Sequence, residues 1–164
     1  MLFNIKSLFN KTAFITVPAS DTDNSVVIVD ILPDSAWQAE IHGIAWGCTL
    51  LSATDKGNLI SNYVAAHEDF PFDPVNPTAT FFSRSGPDAS LGQLVYHNEN
   101  VSPGMRYDDF SNPLVIQPGR RITFYTVMPL LSVAAAGAIL LSLTVRGRQV
   151  PTDQTLRLGN LVGR

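Results

Sequence analysis

Few side chains in this sequence have the types and spacing for covalent or metal chemistry, and each group has a plainer reading. Cys48 with His42 or His67 as base has the composition of a thiol nucleophile pair. Such a pair requires hydrogen-bond contact and a lowered thiol pKa. Nothing beside Cys48 in the chain supplies either, so it reads as a small buried hydrophobe after Gly47. His67-Glu68-Asp69 with Asp73 gathers three carboxylates and an imidazole, and loop oxygens of this kind suit Ca²⁺. The spacing matches neither an EF-hand nor a His-Glu-x-x-His helix, which leaves solvated loop charge. Asp21-Thr22-Asp23-Asn24-Ser25 lacks the glycine and closing glutamate of a calcium loop and reads as a turn.

Glycoside hydrolysis needs two acids roughly 5–10 Å apart in a cleft, and the sequence does not bring Glu40 and Glu68 that close. No Gly-x-x-x-x-Gly-Lys phosphate loop occurs, and Gly147 lies inside Arg146-Gly147-Arg148, outside any strand-to-helix setting. With one cysteine the chain has no internal disulfide framework and no multi-cysteine zinc site. The expectation is a protein that is not an enzyme, with no catalytic residue, no cofactor and no metal. The aromatic set Trp37, Trp46, Tyr63, Tyr96, Tyr107 and Tyr125 would stack on a sugar if it lined a face, and fills the core otherwise.

Charge is unevenly placed. Residues 1–112 carry five basic residues against thirteen acids, whereas residues 113–164 carry six arginines against Asp153 alone. The net charge of −3 offers no basic footprint for phosphates, which argues against nucleic acid as a partner. The polarity itself suits docking on an acidic surface or head-to-tail stacking, or else amounts to solvated arginines at strand ends.

The elements that would position these residues are strands. Thr12–Val17 is β-branched and aromatic and stops at Pro18; Val26–Leu32 is almost continuously apolar, as a central strand would be. In Ala36–Leu51, Trp37, Ala39 and Ile41 alternate with polar residues, and Gly43 and Gly47 suggest a bulge that returns Ile44, Trp46 and Cys48 to the core. Asp55-Lys56-Gly57-Asn58 reads as a tight turn, with Leu59–Ala66 folding back as a hairpin on the preceding strand. Three prolines between His67 and Pro77 exclude a regular element there. Thr78–Arg84, Leu91–His97, Arg121–Met128 and Ile139–Arg146 complete the strand candidates; Asn98–Asn112 reads as irregular, and Pro118-Gly119 as a turn.

About eight strands between Pro and Gly turns, in 164 residues with 45% hydrophobic and 15% charged content, describe one all-β domain: an antiparallel β-sandwich, with the jelly roll as its topology. Pattern alone leaves strand order open. The division is a short N-terminal arm over residues 1–12 and a sandwich over 13–164. In the arm, Leu2, Ile5, Leu8 and Phe9 share a face at helical spacing, and no signal-peptide core is present. Val127–Val145 holds nineteen residues without a charge, but Pro129, Gly137 and the alternation of its second half favour two strands over a membrane span.

The arm Leu2–Phe9, the paired terminal strands Arg121–Met128 and Ile139–Arg146, and the closing Val145-Arg146-Gly147-Arg148-Gln149-Val150-Pro151 resemble in style the small structural proteins of bacteriophage virions. The type they look most like is the jelly-roll capsid decoration, or cement, protein. The resemblance implies a homotrimer on the capsid surface that clamps the major capsid protein, without nucleic acid or membrane as partner. It implies Leu2, Phe3, Ile5 and Phe9 as docking anchors, with Arg146, Arg148 and Arg157 facing an acidic coat, and Ala134–Leu141 at a trimer centre. A trimeric receptor-binding or tail-spike head is the alternative; its loops Phe70–Pro77 and Tyr96–Tyr107 would meet a host glycan.

Overall fold

The computed structural model describes residues 7–17, 25–50, 62–68, 93–100, 104–128 and 139–152. Eight strands run through them: β1 (Ser7–Val17), β2 (Ser25–Ile31), β3 (Trp37–Leu50), β4 (Asn62–Glu68), β5 (Gln93–Asn100), β6 (Gly104–Ile116), β7 (Ile122–Met128) and β8 (Ile139–Pro151). They form two antiparallel four-stranded sheets in the orders β1-β8-β3-β6 and β2-β7-β4-β5. The pairings are nested, β1 with β8, β2 with β7, β3 with β6 and β4 with β5. A long antiparallel ribbon folded over so that successive pairs alternate between two sheets is a jelly roll.

Alternation explains the core. Every second residue of each strand turns inward, and Ile41, Trp46 and Leu143 of the first sheet meet Val29, Val64 and Phe124 of the second in one buried cluster. The bulge lies between Ile41 and Gly43, and beyond it Ile44, Trp46 and Cys48 return to the interior as their spacing predicts. The Pro118-Gly119 turn closes with the Arg120 amide donating to the Gln117 carbonyl at 3.1 Å. Polar contacts join the sheets at both open sides. Lys11 Nζ on β1 donates to the Asp30 carbonyl on β2 at 3.1 Å. On the other side, Tyr96 Oη and Asn98 Nδ2 of β5 both donate to the Asp108 carboxylate on β6.

Several sequence expectations need correction, and all concern partners or faces. The segments expected to form a hairpin do not pair: β3 lies in the first sheet and β4 in the second, between β7 and β5. The terminal strands β7 and β8 likewise sit in opposite sheets. Hydrophobic pattern reports which face is buried and is silent about which strand lies alongside. β2, read as central, is an edge strand. Its almost continuous apolar run arises because Val27, Val29 and Ile31 enter the core while Val26 and Ile28 pack on a second cluster on the sheet's other face.

Asn98–Asn112 is not irregular where it is described. Residues 98–100 end β5 and 104–112 lie in β6, so the stretch expected as loop Tyr96–Tyr107 is strand at 96–100 and 104–107, and residues 101–103 lie outside the described residues. Its polar composition and Pro113 suit β6 because that strand is an edge with one wet side. Residues 7–12, expected in the arm, belong to β1, where Leu8 and Phe9 point to opposite faces. Of Val127–Val145, residues 127–128 end β7 and 139–145 lie in β8, and no helix among the described residues is long and apolar enough to cross a membrane. Residues 1–6, Thr78–Arg84, most of His67–Pro77, Ala134–Ala138 and the tail after residue 152 lie outside the described residues.

Candidate functional site

The outward side chains of the first sheet form a grid that follows from strand register. Across β1, β8, β3 and β6 its rows are Phe14, Ser142, Gly47, Met105; then Thr12, Thr144, Ala45, Tyr107; then Asn10, Arg146, Gly43, Asp109; then Leu8, Arg148, Glu40, Val115. The two central strands supply small residues in the first two rows, and the edge strands supply the large ones, Phe14, Met105 and Tyr107. Of seven large hydrophobic side chains exposed among the described residues, five stand on this face: Leu8, Phe14, Met105, Tyr107 and Val115. Leu8 is 81% exposed, Phe14 70% and Tyr107 66%, so the apolar surface stands clear of the sheet. Clustered exposure of this kind marks interaction surfaces, whereas scattered single residues need no explanation.

The lower two rows hold the charges, and they are compensated in place. Arg146 pairs with Asp109 two strands away, passing over Gly43. A Cβ at Gly43 would stand 2.7 Å from Asp109 Oδ1 and 2.9 Å from Arg146 Nη2, so the bridge requires glycine there. Arg148 pairs with Glu40, which also lies 3.8 Å from His42 Nε2. Beside these pairs a cleft of about 340 Å³ is lined by Leu8, Phe9, Asn10, His42, Asp109, Arg146 and Gly147. The Phe9 ring closes its inner side: a Cβ on Gly147 would come within 2.6 Å of that ring, so glycine is what lets Phe9 fold over β8.

The residues expected to dock therefore divide. Phe9 is half-buried against the chain's own core, while its strand neighbour Leu8 is the exposed one. Arg146 and Arg148 lie on the outer face, and each faces an internal carboxylate. Ile139 and Leu141, assigned to a trimer centre, are fully buried in the chain's own core. Leu2, Phe3, Ile5 and Arg157 lie outside the described residues. Sequence reasoning misses Phe14, Met105 and Val115 and offers Tyr107 only as a sugar-stacking or core aromatic; the signal is present in strand parity, since Leu8 and Phe14 share the face opposite Ala13 and Ile15.

The groups with chemical potential are dispersed. Cys48 is fully buried, and burial pushes its thiol up to about 11, the reverse of nucleophile activation. His67 is buried on the outer side of the second sheet, where Tyr125 Oη and His67 Nε2 are 2.9 Å apart and the rings stack at 5.7 Å. Glu40 and Glu68 lie on different sheets, each in an ion pair, the latter with Arg120 at 3.1 Å. Among the described residues no three His, Cys, Asp or Glu side chains gather as a metal site. Of the six aromatics, Trp46, Tyr63 and Tyr125 are buried and Tyr107 alone is widely exposed. Burial, reinforced by the Asp108 hydrogen bond, raises the Tyr96 phenol above its ordinary pKa.

No family model matches the chain, and no curated protein matches it. Among solved structures, the tobacco streak virus coat protein is similar at 12% identity and TM-score 0.37, covering 93% of this chain and 92% of that one. The Cry8Ea1 delta-endotoxin of Bacillus thuringiensis is similar at 7% identity and TM-score 0.38 over 85% of this chain, which spans about 20% of the toxin chain. The infectious bursal disease virus Gx strain structure is similar at 10% identity and TM-score 0.34, covering 87% of this chain and 32% of that one. At these scores the likenesses carry no weight for function, and the roll rests on its strand pairing.

Proposed function

We propose that this chain is a structural protein of a virion, acting by contact and without a catalytic step. It binds the capsid surface through the outer face of the β1-β8-β3-β6 sheet. The observation that carries the reading is the concentration of exposed apolar side chains on that one face. Large side chains on both edge strands and small ones between them form a shallow trough that a convex neighbouring coat subunit fits. Aromatic and aliphatic anchors of this kind hold most of an interface's energy.

The paired Arg146 and Arg148 contribute orientation instead of net attraction, because their charges are already met within the face. Jelly rolls recur in viral capsid and lectin domains and in cupins, so the fold admits a coat role without specifying it. A trimer formed on the shell and the anchoring by Leu2, Phe3 and Ile5 remain part of the proposal. The test is co-sedimentation with capsid shells assembled without this protein. The double substitution Phe14→Ser with Tyr107→Ser should weaken shell binding at least tenfold. Unchanged binding in a folded double variant would sink the reading, and binding to a glycan array instead of shells would favour the receptor-binding head.

A further inference from the structure

Among the described residues the sandwich has four sheet edges, and three carry a guard against pairing with another chain. β6 contains Pro113 and a register jump opposite Ile41 and Gly43. β5 carries a register shift opposite Ala66 and His67. β2 is only seven residues long and bears Asp30, whose carboxylate meets Arg121 at 3.2 Å. Short edges, bulges, prolines and charges are the usual devices that keep strand edges from joining. β1 is different: eleven residues in unbroken register with β8, without proline or bulge, and with no strand on its other side among the described residues. Its one charge, Lys11, is turned onto β2 by its contact with the Asp30 carbonyl.

The exposed residues of β1 are arranged symmetrically. Leu8 and Phe14, the two most exposed large hydrophobics among the described residues, stand three residues either side of Lys11 on the same face. An antiparallel copy of the strand centred on Lys11 places each Leu8 opposite the partner's Phe14, twice over, and each Asn10 opposite the partner's Thr12. Apolar pairs directly across a ladder stabilise it. The two Lys11 side chains meet at the axis, and their turn toward β2 carries the ammonium groups apart.

We propose that β1 is a self-association edge. A second copy of this chain adds β1 to β1 about a two-fold axis at Lys11, joining two four-stranded sheets into one of eight strands. An isologous contact of this kind closes on itself and stops at the dimer. An eleven-residue edge is about 36 Å long and at sheet thickness covers roughly 350 Å² a side, below the roughly 800 Å² of a standard interface. The dimer is accordingly weak and concentration-dependent. This contact goes beyond docking on a coat and stands whether or not the outer face meets a capsid subunit.

Sedimentation equilibrium of the full chain from 1 to 200 µM tests it. The expected result is a reversible rise from the 17.8 kDa of one chain toward twice that mass. Leu8→Asp and Phe14→Asp should each weaken association at least tenfold, whereas Tyr107→Ser and Val115→Ser on the opposite edge should leave it unchanged. A second measurement avoids dependence on those variants. Because Cys48 is buried, a Lys11→Cys chain under mild oxidation should give a disulfide-linked dimer, and a Thr12→Cys chain should not. A monomer throughout, a trimer of the free chain, association untouched by both aspartates, or crosslinking at residue 12 instead of 11 would each overturn the proposal.

Discussion

The outer faces of the two sheets are built on the same register logic and end in opposite environments. On the second sheet the rows across β2, β7, β4 and β5 are Asp30, Thr123, His67, Leu94; then Ile28, Tyr125, Ala65, His97; then Val26, Val127, Tyr63, Glu99. The six central residues of that grid are all buried, with Tyr125, Ala65, Val127, Thr123 and His67 at 0% exposure. On the first sheet the central positions are small in two rows and carry ion-paired charges in the other two, and the tall apolar side chains at the edges stand in solvent. The centre of the second sheet, β7 and β4, is thus buried on both sides, while Leu94, His97 and Glu99 on β5 stay exposed, and the first sheet keeps one side free. An apolar run therefore marks a strand with two covered faces, as in β2, and a polar alternation marks one with a free face, as in β6.

Substitutions on the two faces test this contrast, and they rank by size. Tyr125→Ala removes a fully buried ring together with the His67 hydrogen bond, and a loss of about 3–5 kcal/mol is expected. Urea denaturation should show it, and a loss under about 1 kcal/mol would mean the second sheet's outer face is not a true second core. Gly147→Ala is expected to cost about 1–3 kcal/mol, because the new Cβ meets the Glu40 carbonyl oxygen at 2.6 Å as well as the Phe9 ring. Full stability in that variant would show that Phe9 is not held over β8.

Tyr125→Phe keeps the ring and removes only the hydroxyl. It should cost about 1–2 kcal/mol, so the two Tyr125 variants separate packing from hydrogen bonding. Smallest of all, Phe14→Ser and Tyr107→Ser on the first sheet should each stay within about 0.5 kcal/mol. A larger loss in the isolated chain would place those rings in its own packing and weaken their assignment as docking groups.

Alkaline pH probes the same distinction from the core side. Burial raises the Cys48 thiol from 9.0 to about 11, so between those values the unfolded chain has released a proton that the folded chain retains. The unfolded state then binds fewer protons and stability falls as pH rises. Tyr63 and Tyr96 are displaced in the same direction and add to the fall above pH 10. Melting temperatures measured from pH 8 to 10.5 should decline less steeply in Cys48→Ala than in the parent chain. Equal slopes would show that the thiol is not screened from water.

Much of the fold was legible from single residues. The bulge at Gly43, the return of Ile44, Trp46 and Cys48 to the core and the turn at Pro118-Gly119 all follow from local rules, which depend on neighbours within a few positions. The errors were non-local. Nothing within β3 says that it pairs with β8 and β6 instead of the next strand in the chain, because those partners come from the far half of the sequence, as where Trp37 meets Pro151 and Ala39 meets Ile116. The candidate site was half legible for the same reason. The parity of Leu8 and Phe14 could be read along one strand, but their grouping with Tyr107 and Met105 required the order of four strands.

Residue types and their order along the chain were enough to establish that it makes strands, where several of them turn, and which side chains most of them direct inward, since those depend on backbone sterics and a two-residue period. The assembled fold added that the strands nest as a roll, that Arg146 and Arg148 are answered by Asp109 and Glu40, and that five of the seven exposed large apolar residues described share one face. Pairing and surface grouping are properties of residues brought together from distant parts of the chain. The free energy that selects them comes from burying both sheets against each other, which no local segment contains.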